Sequence, residues 1–451
     1  MDVRGRTVIV VGLGRSGVAA ARLLIERGAR VVANDGAPRE RLSAAAAALE
    51  AEGAALALGG HDPALFERAD LVVVSPGVPT FPALDEVARS GREVIGELEL
   101  ASRFVSAPIA LVGGTNGKST TTALTGAMLS RAGLRTFVGG NFGTPLAEAV
   151  NEPWDVLVLE ISSYQAERVP TLHARAHALL NITDDHLDRY PDFAAYADAK
   201  GNPFERMTPE DVAVVPFGDA LVARQATRGR ARVVTFSASD PRADVAVEGG
   251  AIIDRAAGAR YPLDRITLTG AHNLANACAS VALATALGAS ATAIAEALAR
   301  FDGLPHRTAL VAELAGVRYY DDSKGTNVGA SVAALSGLRE AKAVLIAGGR
   351  DKLGDYAPLV AALRERGRAL VVLGEAADRI AAAAGGVLPI ARAGSMDEAV
   401  LAARALAQPG DAVLLSPACS SFDMFRDYKD RGDAFVRAVR ALEKAAGEVA
   451  S

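Results

Sequence analysis

Cysteine is almost absent from this chain. Two residues in 451, Cys278 and Cys419, are too few for a disulfide framework, and neither has the CxxC spacing of a zinc or redox site. Long apolar runs are missing as well: no stretch approaches the ~18 residues of a membrane span. The N-terminal Met1–Arg6 leads into a short apolar run that Gly12, Gly14 and Arg15 interrupt, which is wrong for the apolar region of a signal peptide. Nor is positive charge in excess. Lys plus Arg number 48 against 53 Asp plus Glu, a formal net charge of −5, so no global basic field draws in nucleic acid or an anionic membrane. Any anionic ligand must be held locally. These absences point to a cytoplasmic protein with no nucleic-acid partner and no membrane insertion.

What is present is enough material to fold. Half the residues are hydrophobic and 22% are charged, a balance that offsets chain entropy. At roughly 150 residues per domain the length predicts about three domains. Short β-branched runs alternate with Ala- and Leu-rich segments of helical length, the pattern of βα units, with no all-β or coiled-coil stretch.

Strands are predicted at Thr7–Val11, Arg30–Asn34, Leu56–Leu58, Leu71–Ser75 and Glu93–Ile95, a small doubly wound domain. Pro108 breaks a helical segment, so the first boundary falls between Gly96 and Pro108. A second series holds strands Ile109–Val112, Val156–Glu160 and Ala178–Ile182, then Ala-rich helices Ala271–Leu287 and Ala291–Phe301. After the breakers in Asp302-Gly-Leu-Pro305 a third series holds strands Ala343–Ala347, Ala369–Leu373 and Ala412–Leu415, and a helix Arg431–Glu448. The expected domains are 1–97, 98–302 and 303–451.

The most informative segment is Ile109-Ala-Leu-Val-Gly-Gly-Thr-Asn-Gly-Lys-Ser-Thr120, a strand entering a helix through a glycine-rich turn. Gly113, Gly114 and Gly117 let backbone N–H groups turn inward around an anion, the helix N-terminus adds its positive end, and Lys118 places a cation among phosphates. Ser119 can then ligand magnesium. The strict G-x-x-x-x-G-K-[ST] pattern is not met, because Val112 stands at its first glycine and the loop is one residue shorter. Glu160 ends a strand where P-loop proteins carry a carboxylate for the metal, and Ser162, Ser163 and Gln165 follow it. In Asn181-Ile-Thr-Asp-Asp-His186-Leu-Asp188 three acids and a histidine suit magnesium better than zinc, although alone the segment also reads as a solvated acidic loop. Lys200 by itself reads as a surface lysine.

Val10-Val-Gly12-Leu-Gly14-Arg15-Ser16-Gly17 is a G-x-G-x-x-G between strand and helix, with Asp35 closing the next strand. It suits a nicotinamide cofactor or another nucleotide equally well. Ser75-Pro76-Gly77 adds a turn at the same edge. Farther on, Asp321–Asn327, Ala347–Lys352 and Ser416–Phe425 are three loops at one edge of a predicted sheet, which together argue for a ligand.

Taken in order, these segments resemble the Mur ligase family, the ATP-dependent amide-bond-forming enzymes of peptidoglycan precursor synthesis. The resemblance is carried by Gly113–Thr120, Glu160–Gln165, Asn181–Pro191, Leu268–Asn276, Gly303–Arg307, Asp322–Asn327 and Gly348–Lys352, over essentially the whole chain. Within the family, the Gly12–Gly17 turn, Asp35, Ser75–Gly77 and Ser416–Phe425 look like the branch that adds D-glutamate to UDP-N-acetylmuramoyl-L-alanine. The resemblance implies an α/β protein of three domains: an N-terminal Rossmann-like domain for the UDP-sugar, a central P-loop ATPase-like parallel sheet, and a C-terminal Rossmann-like domain for the incoming amino acid. It implies a monomer using ATP and two magnesium ions.

Carried over by motif, Gly114, Thr115, Asn116, Gly117, Lys118, Ser119, Thr120, Asn273, Arg307 and Asp322 would bind ATP. Gly14, Arg15, Ser16, Asp35, Ser75, Gly77, Asn141, Gln165 and His186 would bind the UDP-sugar, and Thr326, Lys352, Ser421 and Tyr428 the D-glutamate. Ser119 and Glu160 would hold one magnesium. His186 and Lys200 would hold the second, the lysine being carbamylated in the family and so made anionic. Lys118, His186, Lys200 and Lys324 would be the catalytic set. The chain departs from the pattern in two places: Gly201-Asn202-Pro203 stands where the family continues a helix, predicting an early end to the helix of Lys200, and Tyr428 replaces the usual phenylalanine. A nicotinamide-dependent dehydrogenase would use the first glycine turn but leave the P-loop unexplained.

Overall fold

The computed structural model describes residues 1–185, 189–268 and 270–450, with 445–450 described as helix backbone alone. The described strands form three sheets. The first contains β1 (Thr7–Val11), β2 (Arg30–Asp35), β3 (Ala55–Leu58), β4 (Leu71–Val74) and β5 (Val94–Gly96), all parallel, in the order β3-β2-β1-β4-β5. The apolar run of β1 is buried on both faces, as an interior parallel strand requires. Val8 and Val10 pack with Val18, Ala21 and Leu24 of the helix Arg15–Glu26, while Ile9 and Val11 pack with Phe66, Leu84 and Val87. The order reverses between β1 and β4, which opens a crevice at their carboxyl ends, where ligands bind such sheets.

The second sheet contains β6 (Ile109–Gly113), β7 (Thr136–Gly140), β8 (Val156–Glu160), β9 (Ala176–Leu179), β10 (Val212–Pro216), β11 (Arg232–Ser237), β12 (Val245–Glu248), β13 (Ala251–Asp254) and β14 (Ala259–Pro262). Its order is β14-β13-β12-β11-β10-β9-β6-β8-β7. It is parallel from β7 to β12 and antiparallel from β12 to β14. This last meander corrects the expectation that no stretch is all-β. Its first turn is Gly249-Gly250, both with positive φ of 54° and 72°, the geometry that joins two antiparallel strands in two residues.

The third sheet contains β15 (Ala309–Leu314), β16 (Val317–Asp321), β17 (Ala343–Gly348), β18 (Gly367–Leu373), β19 (Ile390–Arg392) and β20 (Ala412–Leu415), in the order β15-β16-β20-β17-β18-β19. Only the β15–β16 pair at its edge is antiparallel. Alternate residues of β17 again divide between two apolar clusters, Leu345 and Ala347 on one face, Val344 and Ile346 on the other. The Ala-rich helices run Ala271–Ala286 and Ala291–Arg300, and the last helix starts at Tyr428, three residues before the predicted Arg431.

The chain divides into two compact units. One comprises Met1–Ile182, Ala194–Ile266 and Ala275–Arg300, and so contains the first two sheets. The other comprises Thr183–Phe193, Thr267–Leu274 and everything from Phe301. Among the described residues no helix is long and apolar enough to cross a membrane.

Candidate active site

In the first unit, β6 delivers the chain into the loop Gly114–Gly117 and the helix Lys118–Arg131. The glycines are required by the geometry. Gly117 has φ +86°, and a Cβ there would come 2.3 Å from Asn276 Oδ1; Gly114 has φ +136° and would meet Leu180 at 3.1 Å. Asn181 holds the loop from outside: its carbonyl accepts from Thr115 N at 3.0 Å, its Oδ1 from Asn116 N at 2.8 Å, and its Nδ2 donates to Asn116 O at 3.0 Å. Lys118 Nζ donates to the carbonyls of Gly114 and Thr115, both at 2.8 Å, so its charge sits over the loop at the positive end of the helix.

Behind the loop, Ser119 Oγ donates to Glu160 Oε2 at 2.5 Å, and Asn141 Nδ2 donates to Glu160 Oε1 at 2.6 Å. Glu160 ends β8 and is buried. A hydroxyl and a carboxylate oxygen side by side at the start of a phosphate-binding helix are the hard oxygen donors a magnesium ion takes. Thr120 lies buried one residue further into the helix.

Lys200 is also brought to this loop. Its buried Nζ donates to Gly114 O at 2.9 Å and lies 4.7 Å from the Tyr196 ring centre, while Tyr196 Oη pairs with Thr115 Oγ1 at 3.0 Å. The α-helix that carries it, Phe193–Gly201, passes at once into a 3-10 turn, Asn202–Phe204, so the early end expected from Gly201-Asn202-Pro203 is present. On β9 beneath the loop, His177 is fully buried and bonded to Leu111 O through Nδ1. Burial, and secondarily the charge of Lys200, push its imidazole down to about 4, so it is neutral.

At the crevice of the first sheet, Ser75 Oγ donates to Gly12 O at 2.7 Å. A Cβ on Gly17 would lie 1.8 Å from that same carbonyl, so the turn closes only with glycine. Asp35 accepts from Leu13 N at 2.7 Å and Ala37 N at 2.8 Å and thus braces two loops. Gly14 and Gly77 are exposed with open space where a Cβ would be, and Ser16 is half-buried in the first turn of its helix. Arg15 reaches Gly143 O at 2.7 Å. Gln165 forms a capping box with Ser162, its Oε1 accepting from Ser162 N at 3.0 Å.

In the second unit, Asp322 is buried at the end of β16, accepting from Ser416 Oγ at 2.6 Å and from Thr308 N at 3.1 Å. Burial pushes its carboxyl up to about 7, against the opposing pull of the Ser416 hydrogen bond and the Arg307 charge. Lys324 Nζ stands 3.9 Å from the centre of the Tyr428 ring. Lys352 Nζ donates to Asp185 Oδ1 at 3.0 Å, and Asn327 Nδ2 to Asp185 Oδ2 at 3.1 Å. Ser421 is buried, Thr326 and Asn273 are half-buried, and all three flank loops at this end of the sheet or the start of the helix Ala271–Ala286. His186 lies outside the described residues.

Three family models cover the chain: the MurD-like N-terminal domain of Mur ligases over residues 6–96, the Mur ligase middle domain over 112–284, and the Mur ligase glutamate ligase domain over 306–419. The chain is 47% identical over 98% of its length, and 99% of the relative's, to the UDP-N-acetylmuramoylalanine–D-glutamate ligase of Geobacter metallireducens. It is 46% identical, over the same shares, to the enzyme of that name from Syntrophotalea carbinolica. The chain belongs to the Mur ligase family. Among solved structures, the MurC ligase of Thermotoga maritima superposes with a TM-score of 0.61 at 18% identity, covering 97% of this chain and 99% of that one. The MurF ligase of the same organism, solved with ADP, gives 0.61 at 17%, covering 98% and 96%. At such identity these two establish the fold.

Several residues of this Mur ligase that shape the site escaped the sequence reading. Asn181 opens a segment whose acids draw the attention, Tyr196 lies in the helix of Lys200 with no motif of its own, and His177 is an isolated histidine in an apolar strand. Arg431 is the plainest omission. It is a buried cation whose Nε and Nη2 donate to Ser323 Oγ and Ser323 O and whose Nη1 donates to Cys419 O, tying the loop before the helix Val328–Gly337 to the loop after β20. In the sequence Arg431 is only the first residue of the predicted last helix, with no motif that marks it as buried.

Proposed function

We propose that this chain is the ATP-dependent ligase that adds D-glutamate to UDP-N-acetylmuramoyl-L-alanine in peptidoglycan precursor synthesis. The observation that carries the reading is identity of 47% to a ligase of that name over 98% of the chain. The central loop supports it, because Lys118, Ser119 and Glu160 stand together on that loop and its neighbouring strand, where they would hold phosphates and a cation.

An alanyl carboxylate does not react with an amine near neutral pH, since its oxygen is a poor leaving group. Transfer of the γ-phosphoryl group of ATP to that carboxylate forms an acyl phosphate and releases ADP. The D-glutamate amine then attacks the acyl carbon, and the tetrahedral intermediate collapses to amide and phosphate. In this reading Gly114–Thr120 hold the phosphates and Lys118 balances the charge of the moving phosphoryl group. Asn273, Arg307 and Asp322 hold the rest of ATP. Ser119 and Glu160 would hold magnesium, which supplies charge neutralisation when bound.

As an ammonium, Lys200 donates to Gly114 O and cannot ligate a cation. A second magnesium would be held by His186 and Lys200 only with the lysine carbamylated, and two ions are part of the proposal. Residues 1–97 would take the UDP-sugar through Gly14, Arg15, Ser16, Asp35, Ser75 and Gly77, with Asn141, Gln165 and His186 at its reacting end. Residues 98–302 would take ATP. Residues 303–451 would take D-glutamate through Thr326, Lys352, Ser421 and Tyr428, with Lys324 beside the reacting groups. A cytoplasmic monomer completes the reading.

The test is phosphate release from ATP with UDP-N-acetylmuramoyl-L-alanine and each of D-glutamate, L-glutamate, L-lysine and D-Ala-D-Ala. Stimulation by D-glutamate alone is expected. Stimulation by another acceptor and not by D-glutamate would reject the assignment.

A further inference from the structure

The residue before Lys352 belongs to a relay of side chains that none of the residues assigned so far explains. Asp351 lies on the loop that leaves β17, with only 6% of its side chain exposed. Its Oδ1 accepts from Leu353 N at 2.8 Å and from Tyr356 Oη at 3.1 Å, while Oδ2 accepts from Arg379 Nη1. Arg379 stands on the helix Ala377–Ala384, its guanidinium 5.4 Å from the centre of the Tyr356 ring. Burial works against the charge on Asp351, but the hydrogen bond from Arg379 outweighs it and holds the carboxyl below its ordinary value. A carboxylate only accepts. The Tyr356 proton therefore points to Asp351, and the 3.3 Å contact of Tyr356 Oη with Cys419 Sγ is made by the thiol proton. Burial pushes that thiol up to about 11, so the proton is present.

The relay runs from one loop to another. Asp351 adjoins Lys352, and Cys419 stands two residues before Ser421 on the loop that leaves the neighbouring strand β20. The main chains of the two loops are bonded where they leave the sheet, Gly348 N to Pro417 O at 2.8 Å and Arg350 N to Ser420 O at 2.9 Å. The relay adds a side-chain tie beyond that point, and ties at two places fix the angle between two loops as a tie at one cannot. Leu353 shows that the loop is held in a shape it would not take freely. Its φ is +59°, a left-handed conformation that is costly for leucine and that the bond to Asp351 offsets.

We propose that Asp351, Tyr356 and Arg379 are positioning residues that fix the separation of Lys352 and Ser421 and so select the acceptor by its length. This rests on the D-glutamate reading of the third domain. D-Glutamate and D-aspartate have the same ammonium and the same two carboxylates, and differ by one methylene. Loops free to approach one another would close on either acid. Loops held apart grip the longer acid and leave one polar partner of the shorter acid unpaired, which is where discrimination arises.

The test compares kcat/KM for D-glutamate and D-aspartate, followed as phosphate release with ATP and UDP-N-acetylmuramoyl-L-alanine. The wild type should prefer D-glutamate at least about tenfold, the low end for one methylene. Tyr356→Phe keeps the ring beside Arg379 and removes only the link between Asp351 and Cys419. It should lower that preference at least about threefold and raise KM for D-glutamate about three- to tenfold, with KM for ATP within about twofold of the wild type. Arg379→Met should act in the same direction, and Arg379→Lys, which keeps a cation for Asp351, should recover part of the preference. Poor folding alone removes active enzyme without changing a ratio between two substrates, so the ratio separates positioning from stability. A Tyr356→Phe enzyme that keeps the full preference, or whose KM for ATP rises as much as that for D-glutamate, overturns the proposal. So does a wild type that uses both acids equally. A wild type that D-glutamate does not stimulate overturns the acceptor reading itself.

Discussion

Ser119, in the first turn of the helix Lys118–Arg131, and Glu160, the last residue of β8, meet at 2.5 Å although 41 positions separate them. The meeting is made by sheet topology: β6 and β8 are parallel neighbours with Val112 opposite Glu160, so the loop leaving one strand passes over the end of the other. Asn141, which follows β7 on the far side of β8, closes on the second carboxylate oxygen. Removing the charge while keeping the shape isolates its role. Glu160→Gln should lower kcat at least about 100-fold, the upper end of what losing a ligand-orienting group costs, and should raise the magnesium concentration for half-maximal activity. A magnesium titration of phosphate release measures both. An unchanged magnesium requirement would count against a cation at this carboxylate.

Lys200 offers a second, separable prediction. A buried ammonium that donates to Gly114 O can become an anion only by reaction with carbon dioxide, which needs the neutral amine. Lys200→Arg keeps the cation and the length but cannot be carbamylated. It should fold, bind ATP and lose at least about 100-fold in turnover. The wild type assayed in carbon-dioxide-depleted buffer should slow and recover on addition of bicarbonate. Full activity of Lys200→Arg would remove this lysine from the metal site.

The difference between what the chain reveals unaided and what only coordinates reveal is visible in these same residues. Gly114, Gly117, Lys118, Ser119 and Glu160 were readable because the chemistry sits in contiguous runs after strong apolar strands, and β1, β8 and β20 have the predicted limits. Asn181, Tyr196 and His177 were not, because each acts through a partner at least sixty residues away and has no local pattern. The strands from β10 to β14 were missed for a different reason. β11 opens on two exposed residues, Arg232 and Val233, and the antiparallel pair β13–β14 lies at the sheet edge, where alternation is only partly enforced by burial.

Asn181 turns that omission into an experiment. Its side chain accepts from one peptide group of Asn116 and donates to the other, fixing the loop that would wrap the phosphates. Asn181→Ala leaves two backbone groups of the loop without those partners. KM for ATP should rise about tenfold, as expected for about 1.4 kcal/mol of lost loop order, with a smaller change in KM for the UDP-sugar. ATP binding by calorimetry checks this directly. Equal rises in both constants would mean a general loosening and not a local one.

The last prediction concerns pH and follows from Glu97, a buried carboxyl at the start of the helix Glu97–Ser102. One oxygen accepts from Ala147 N at 2.8 Å, and the other has no hydrogen-bond partner among the described residues. Burial, opposed by the Ala147 hydrogen bond, pushes the group up to about 7 from an ordinary value of 4.5. The folded protein therefore holds this proton at pH values where the unfolded chain has released it. The stability the group contributes is complete below about pH 4.5 and drains away as pH rises through about 7, at most about 1.4 kcal/mol per pH unit. Carboxylates such as Asp411, held low by the hydrogen bond from Arg368 against the cost of burial, act in the opposite sense, so the wild-type profile alone does not isolate Glu97. Glu97→Gln does, because an amide has the acceptor for Ala147 and nothing to ionise. Relative to the wild type, the variant should gain about 2 kcal/mol between about pH 5 and about pH 8 in urea unfolding. A difference that stays constant across that range would show that Glu97 ionises in the folded protein as it does in the unfolded chain.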